Sequence, residues 1–443
     1  MDDWRGEYEG KTISIDDAAA LVKSGDYVVF TMGREAFGLG LAIAARKDEL
    51  KDVKMFCPAP SYDFGWYDDE WQDSFQVMTM MVTGVCQEAV DAKRIDVNPG
   101  VLIGTPRGMT GAQLEQDPDI AITEVSPPDE KGFCSFGQSV WDKRKTIKQA
   151  KLVVAEVNDK LIRTYGDNFI HVSEIDYFVE HVSSGIGLGT GTLAGRERKD
   201  PEPYLKDIAK YVNGLMEDGD TLQIGVGRTS EALVALGMLD GKQDIGYHSE
   251  ATPPGIITLV KQGVINGERK TINPGKAVVT SLGGGTREEM VWADRNPLFW
   301  LVDVDYLEDI RVISSHDNMV AVNNALAIDL AGQIASETIG IRPMAAAGGQ
   351  PSFVIGALLS KGGRSITVIP STAAGGKVSR IVPRMTEGAA VTVPRQLADY
   401  VVTEYGVTRL WGKSLRQRAK GLISIAHPDF REELTKEALQ MWG

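Results

Sequence analysis

Short apolar runs recur along the whole chain, and segments with helical spacing of their apolar positions lie between them. In the first half "GDYVVFTMG" reads as a strand and "GLGLAIAARKDEL" as the helix after it. "NPGVLIGTP", "DIAITEVSPP" and "AKLVVAEVND" read as further buried strands. Runs that are apolar on both faces and separated by helices predict a mainly parallel sheet. The pattern breaks in "GTGTLAGRERKDPEPYL", residues 189–205, which is rich in glycine, proline and charge and reads as a linker. It then restarts. "YLKDIAKYVNGLMEDG" and "SEALVALGML" are expected helices, and "TLQIGVG" and "QDIGYHSE" expected strands. "KAVVTSLGG", "ITVIPST", "AAVTVP" and "YVVTEYG" are later strands, and the C-terminal stretch through "DFREELTKEALQMW" is amphipathic and helical. The expectation is an α/β protein with two open α/β domains, spanning 1–195 and 205–443.

Ligands of open α/β sheets bind beyond the carboxyl ends of the strands. Glu250 occupies such an end, in "DIGYHSEATPPG", residues 244–255. It is either an ordinary turn carboxylate before two prolines or a carboxylate held at a strand end for chemistry. Four glycine turns also follow apolar runs: Gly225 and Gly227, Gly283 to Gly285, Gly348 and Gly349, and Gly375 and Gly376. A strand, a glycine turn and a helix N-terminus together can hold an oxyanion or a phosphate. Each turn taken alone is more readily a tight βα connection. None spells a dinucleotide fingerprint or a P-loop, and the chain lacks GxSxG and HExxH. The five histidines show no metal-ligand spacing. His248 and Glu250, two apart on a strand, are expected to face the same side, as a polar pair at the strand end more than as half a metal site.

Length and charge narrow the classes. A chain of 443 residues exceeds one ordinary hydrophobic core, which again points to two domains. Its formal charge of -14 argues against nucleic acid or an anionic membrane as partner. An anionic small ligand would need local donors. Cys57, Cys86 and Cys134 are odd in number and far apart, against a disulfide framework or a CxxC metal site. The polar start "MDDWRGEYEGK" does not read as a signal peptide, and no apolar run reaches 18 residues. A cytoplasmic location is expected.

Several long stretches carry a resemblance. They include "EVSPPDEKGFCSFGQS", "EVNDKLIRTYGDNFIHVSEIDYFVE", "GYHSE", "DNMVAVNNALAIDLAGQ", "GGQPSF", "PSTAAGGKVSRIVP" and "VVTEYGVTRLWGKSLRQRA". In that order they resemble the acetyl-CoA hydrolase/transferase family, close to the 4-hydroxybutyrate, butyrate and acetate CoA-transferases. The resemblance implies two similar domains with the active site between them, and ping-pong transfer of CoA from an acyl-CoA to a small carboxylic acid. It implies Glu250 as nucleophile, with an acyl-glutamyl anhydride and a glutamyl-CoA thioester as intermediates. Val226 and Gly349 would offer main-chain N–H groups at the thioester carbonyl, flanked by Gly225, Gly227 and Gly348. Gln350 would add a polar contact. Gly375, Gly376 and Lys377, with Arg380 nearby, are candidates for the CoA phosphates. No metal and no tightly bound cofactor is implied, and a dimer or tetramer is.

The chain departs from the family pattern at Glu308, where asparagine is common, at Ser352 for aspartate and at Ala374 for lysine. "SLGGGTRE" also carries glycines where larger residues are usual. These positions bear on the acyl substrate and the phosphate contacts. "CPAPSYDFGWYDDEWQDSF", residues 57–75, is crowded with aromatic and acidic side chains. It reads as an interdomain or subunit contact, or as an acyl pocket. An acyl-CoA hydrolase on the same fold is the alternative function. A nucleotide-binding oxidoreductase and a non-catalytic metabolite-binding module stand further off.

Overall fold

The computed structural model describes residues 4–100, 116–185 and 201–443. The expected strand "NPGVLIGTP" from residue 101 onward, and the expected linker up to residue 200, lie outside the described residues. The chain divides into two compact units. The first holds the described residues up to 185 together with Thr280–Tyr306; the second holds 201–279 and Leu307–Gly443.

The first unit is built on β1 (Tyr27–Phe30), β2 (Val53–Phe56), β3 (Phe75–Thr79), β4 (Asp96–Val97), β5 (Ile120–Val125), β6 (Leu152–Val157) and β7 (Tyr177–Glu180). They form one sheet in the order β7-β6-β5-β1-β2-β3-β4, and every pair is parallel. β1 and β5 are buried along their whole length, which is why they read as unbroken apolar runs. The aromatic stretch 57–75 belongs to this unit's own core. Tyr62, Phe64, Trp66, Tyr67 and Phe75 are buried there with Phe30 and Leu39. Phe64 and Trp66 pack with ring centroids 4.6 Å apart, and Asp63, Asp68, Asp69, Glu70 and Asp73 stand on the outer side of the stretch. The buried rings of the stretch are thus part of this unit's own core. Their apolar faces are worth more inside, at about 1.5–3 kcal/mol for each large side chain buried.

Residues 280–306 also group with the first unit, although the pattern placed them in the C-terminal domain. Their backbone is bonded to it: Val140 N–H donates to Thr280 O at 2.9 Å, Leu282 N–H to Gln138 O at 2.8 Å and Asp167 N–H to Leu301 O at 2.7 Å. Such pairing is long-range and leaves no mark on local periodicity.

The second unit carries β8 (Thr221–Ile224), β9 (Gly246–Ala251), the first three residues of β10 (Ala277–Ser281), β11 (Met319–Asn324), β12 (Arg364–Val368), β13 (Tyr400–Thr403) and β14 (Gly406–Arg409). Their order is β14-β13-β12-β11-β8-β9-β10. β8 pairs in parallel with both β9 and β11, and β14 returns antiparallel to β13. From β8 the chain first builds towards β10; with β11 it crosses to the other side of β8 and builds away. The sheet therefore has a topological switch point between β8 and β11, the place where open α/β sheets leave a crevice. The C-terminal helices, Leu415–Ile425 and Pro428–Trp442, are separated at Pro428 and cover an apolar cluster around Ile328, Val401 and Leu422. "AAVTVP" is not a strand. Only Val393 makes a bridge, to Ile334, while the Thr392 hydroxyl is taken up by the Ser336 N–H and the Glu337 carboxylate. Among the described residues no helix is long and apolar enough to cross a membrane.

Candidate active site

Glu250 is the fifth residue of β9, and every residue of that strand is buried. Its neighbours on the strand are each tied down. The Ser249 hydroxyl donates to Ile224 O at 3.1 Å and accepts from the Ile224 N–H at 3.3 Å, locking β9 to β8. The Tyr247 hydroxyl donates to Ala251 O at 2.6 Å. His248 shares the Glu250 face and donates through Nε2 to Leu307 O at 3.0 Å. Burial holds its ring neutral, with a pKa pushed down to about 3. Pro253 and Pro254 follow, then Gly255 at φ 96°, which caps the helix Ile256–Lys261. The strand end is thus fixed from both sides. Glu250 is only 8% exposed, and burial pushes its carboxyl up from 4.5 to about 7. The Gly349 N–H, 3.3 Å from Oε1, partly offsets that rise.

At the switch point β8 ends in Gly225, Val226 and Gly227, and α1 (Arg228–Ala235) begins with Gly227 as its cap. β11 ends beside it in Asn323 and Asn324. These asparagines decide the glycines. A Cβ on Gly225 would sit 2.5 Å from Asn323 Oδ1, and one on Gly227 2.4 Å from Asn324 Nδ2. Asn323 and Gln223 exchange two side-chain hydrogen bonds at 3.0 and 3.1 Å. Asn324 accepts from the Ser230 N–H at 2.9 Å and donates to the Ser230 hydroxyl at 2.7 Å. The loop is braced around Val226, whose side chain is exposed. Among the described residues the Val226 N–H has no hydrogen-bond acceptor.

The third element is the turn into α2 (Gln350–Leu359). Gly348 has φ 56°, a backbone state that side chains disfavour, and a Cβ there would lie 3.6 Å from Glu250 Oε1. Gly349 caps the helix. A Cβ on it would fall 2.1 Å from Glu308 Oε1, so the Glu308 carboxyl rests directly on the glycine backbone. Glu308 follows the short helix Val304–Leu307 and is fully buried. Burial and the neighbouring Glu250 push its carboxyl well above the usual range, and neither of its oxygens has a hydrogen-bond partner among the described residues. Gln350 is buried. Its amide donates to Asn324 O at 3.2 Å, so it joins the turn to the end of β11.

The structure thus gathers Glu250, Gly348, Gly349 and Gln350 at the carboxyl ends of β9 and β11, with Gly225, Val226 and Gly227 on the adjoining β8. It does not bring Gly375, Gly376 and Lys377 into the same buried cluster. These form the exposed turn of the hairpin Thr372–Ala373 and Val378–Ser379, with Gly375 and Gly376 at φ 66° and 87° and no helix after them. Arg380 is committed to main-chain carbonyls of Thr372, Ala325 and Leu326 at 3.3–3.4 Å.

Comparison with known proteins settles the lineage. The family model for the acetyl-CoA hydrolase/transferase N-terminal domain matches residues 1–186, and that for the C-terminal domain matches 285–438. The chain belongs to the acetyl-CoA hydrolase/transferase family. Over 98% of its length it is 40% identical to 4-hydroxybutyrate coenzyme A transferase of Clostridium kluyveri, covering 99% of that protein. It is 36% identical to the succinyl-CoA:cyclohexane-1-carboxylate CoA transferase of Geobacter metallireducens, covering 98% of this chain and 96% of that one. Among solved structures, RipA from Yersinia pestis superposes with a TM-score of 0.88 at 31% identity, over 99% of both chains. The 4-hydroxybutyrate CoA-transferase of Porphyromonas gingivalis gives 0.77 at 31%, over 99% of this chain and 100% of that one.

Within the family fold the sequence reading missed the second layer of the site. Asn323, Asn324, Gln223 and Ser230 were not singled out. The signal was there in "DNMVAVNNALA": two adjacent asparagines ending an apolar run, where burying polar side chains needs a partner. Glu308 was noticed only as a departure from the family pattern, not as a buried neighbour of Glu250.

Proposed function

We propose that the chain transfers coenzyme A from an acyl-CoA to a carboxylic acid, with Glu250 as the covalent nucleophile. As a family member with relatives of 32–40% identity named CoA-transferases, the chain is a CoA-transferase enzyme. The observation that supports the finer reading is a buried strand-end carboxylate meeting a main-chain N–H at 3.3 Å. A buried carboxylate has lost the solvation that makes it a poor nucleophile in water, and it needs no general base once ionised.

The electron count closes without a further reactant. Glu250 attacks the thioester carbonyl, and the tetrahedral oxyanion collapses by expelling CoA thiolate, leaving an acyl-glutamyl anhydride. The thiolate then attacks the glutamyl carbonyl, the bond between that carbon and the bridging anhydride oxygen breaks, and the first acid leaves with that oxygen as its carboxylate. A second carboxylate attacks the glutamyl-CoA thioester, and the two steps reverse. The Gly349 N–H already points at a Glu250 oxygen. It is therefore best placed for the oxyanion that forms on the glutamyl carbonyl, a refinement of its expected place at the substrate carbonyl. The Val226 N–H is the donor for the acyl carbonyl. One such donor is worth roughly 10²- to 10³-fold in rate. The exposed Lys377 at its hairpin turn is the candidate for a CoA phosphate.

The test is a trap. The enzyme is mixed with acyl-CoA without acceptor, treated with borohydride and mapped by peptide mass. Glu250 is expected to carry the reduced side chain. An active enzyme with another residue reduced, or none, overturns the assignment. Release of free acid from acyl-CoA at the transfer rate, with no acceptor present, would instead favour hydrolysis.

A further inference from the structure

Beside Glu250 lies a second carboxyl that the anhydride chemistry does not use. Glu308 is fully buried, and its oxygens lie against the Cα of Gly349, the residue whose N–H bonds Glu250. The Gly348–Gly349 turn is thus held between two carboxyls. The segment bearing Glu308 is also tied to β9, because Leu307 O accepts from His248.

Two carboxyls this close in a buried site do not both ionise readily, since the second charge meets both desolvation and the first charge. The hydrogen bonds decide which one is charged. Glu250 faces a main-chain N–H, which can only donate and therefore favours an anion. Neither oxygen of Glu308 has a hydrogen-bond partner among the described residues, so no donor there favours an anion. We propose that Glu308 is the proton-holding member of a carboxyl pair: a positioning residue that seats the Gly348–Gly349 turn and confines the negative charge to Glu250. The inference rests on the Glu250 reading. The other ionisable groups around the pair are Tyr247 and His248 on β9, His316 with its ring tilted at 53° to that of His248 and 4.7 Å between centroids, and Lys270. Burial keeps both imidazoles neutral, and Lys270, which binds Tyr247 O and Lys276 O, bears on those rings.

A proton-holding partner leaves a signature that a mere filler would not. Once Glu308 ionises, a second negative charge sits beside the nucleophile and opposes both the anionic acceptor and the leaving thiolate. The profile of kcat/KM against pH is therefore a bell, with Glu250 on the acid limb and Glu308 on the alkaline limb. The experiment measures this profile from about pH 5 to 10 for the wild type, Glu308→Gln and Glu308→Asn, two neutral replacements of different length in case one fails to fold. The expected result is an acid midpoint that stays within about half a pH unit and an alkaline limb lost in whichever variant folds. A wild type without an alkaline limb, or a limb that persists in the variants, overturns the proposal, as does an acid midpoint that falls by about one pH unit or more. Borohydride trapping on the same samples separates the two readings. Label at Glu250 with a persisting alkaline limb sinks only the role of Glu308, whereas label elsewhere sinks the nucleophile.

Discussion

Replacing Glu250 by glutamine removes a charge that the fold opposes, so the change expected to abolish transfer should also stabilise the protein. Unfolded, the carboxyl ionises near 4.5; folded, burial moves this to about 7. Between those values the folded state keeps a proton that the unfolded state has lost. The stabilisation tied to that proton is complete below pH 4.5 and disappears as pH rises through about 7. A tenfold difference in proton affinity between the two states is worth about 1.4 kcal/mol, so ionised Glu250 costs the fold about 3 kcal/mol at pH 8. Glutamine carries no charge at either pH and keeps an acceptor for the Gly349 N–H. Glu250→Gln is therefore expected to match the wild type near pH 4.5 and to exceed it by up to about 3 kcal/mol at about pH 8. Urea unfolding of both proteins at half-unit steps from about pH 4.5 to 8.5, followed by fluorescence, measures the difference. A gap that is constant with pH, or a variant less stable on the alkaline side, would refute the claim that Glu250 is a buried, destabilised carboxylate.

Three further outcomes follow from the same geometry. Gly349→Ala should lower kcat at least about tenfold and cost about 1–3 kcal/mol by overpacking, because its Cβ would fall 2.1 Å from Glu308 Oε1; thermal unfolding of the Gly349→Ala/Glu308→Ala double variant should show most of that stability regained. Asn324→Ala should cut kcat roughly tenfold or more, the scale of one misplaced oxyanion donor, with circular dichroism unchanged, because it frees the Ser230 end of the loop carrying the Val226 N–H. Trp66→Ala should destabilise the first unit by about 3–5 kcal/mol in chemical denaturation yet leave the KM for acids unaltered in the folded protein, since the ring lies in that unit's core; a selective change in acid preference would restore the acyl-pocket reading.

What could be read from the chain and what could not divides along sequence distance. The buried parallel strands were legible because each is a short local run bounded by turns, and β1, β5, β8 and β9 fall where the pattern puts them. Glu250 was legible as a strand-end carboxylate because its prolines and glycine are adjacent in sequence. The assignment of residues 280–306 was not, because it rests on hydrogen bonds to Gln138, Val140 and Asp167, more than a hundred residues away. The core role of the aromatic stretch 57–75 was not legible either, for a related reason. Its acidic residues gave it a surface composition, but period and packing turn those outward and the rings inward. The Gly375–Gly376 pair looked like a strand-to-helix turn and is a hairpin, since three successive residues from Ala374 have positive φ and no helix follows.

The glycines of the site carry a further point. The ordinary argument for a glycine near a ligand is that it lets the main chain approach that ligand. At Gly225, Gly227 and Gly349 the space is already taken by Asn323, Asn324 and Glu308 of the protein itself. Glycine is required there so that buried polar side chains can press on the turns from behind. That arrangement presents the Val226 and Gly349 N–H groups as parts of rigid loops, and preorganised donors are the kind that lower a barrier without reorganising during the reaction. It also makes the identity of residue 308 part of the site. Whatever group stands there presses directly on the turn that holds Glu250, so a carboxyl in place of an amide puts a second titratable group beside Glu250.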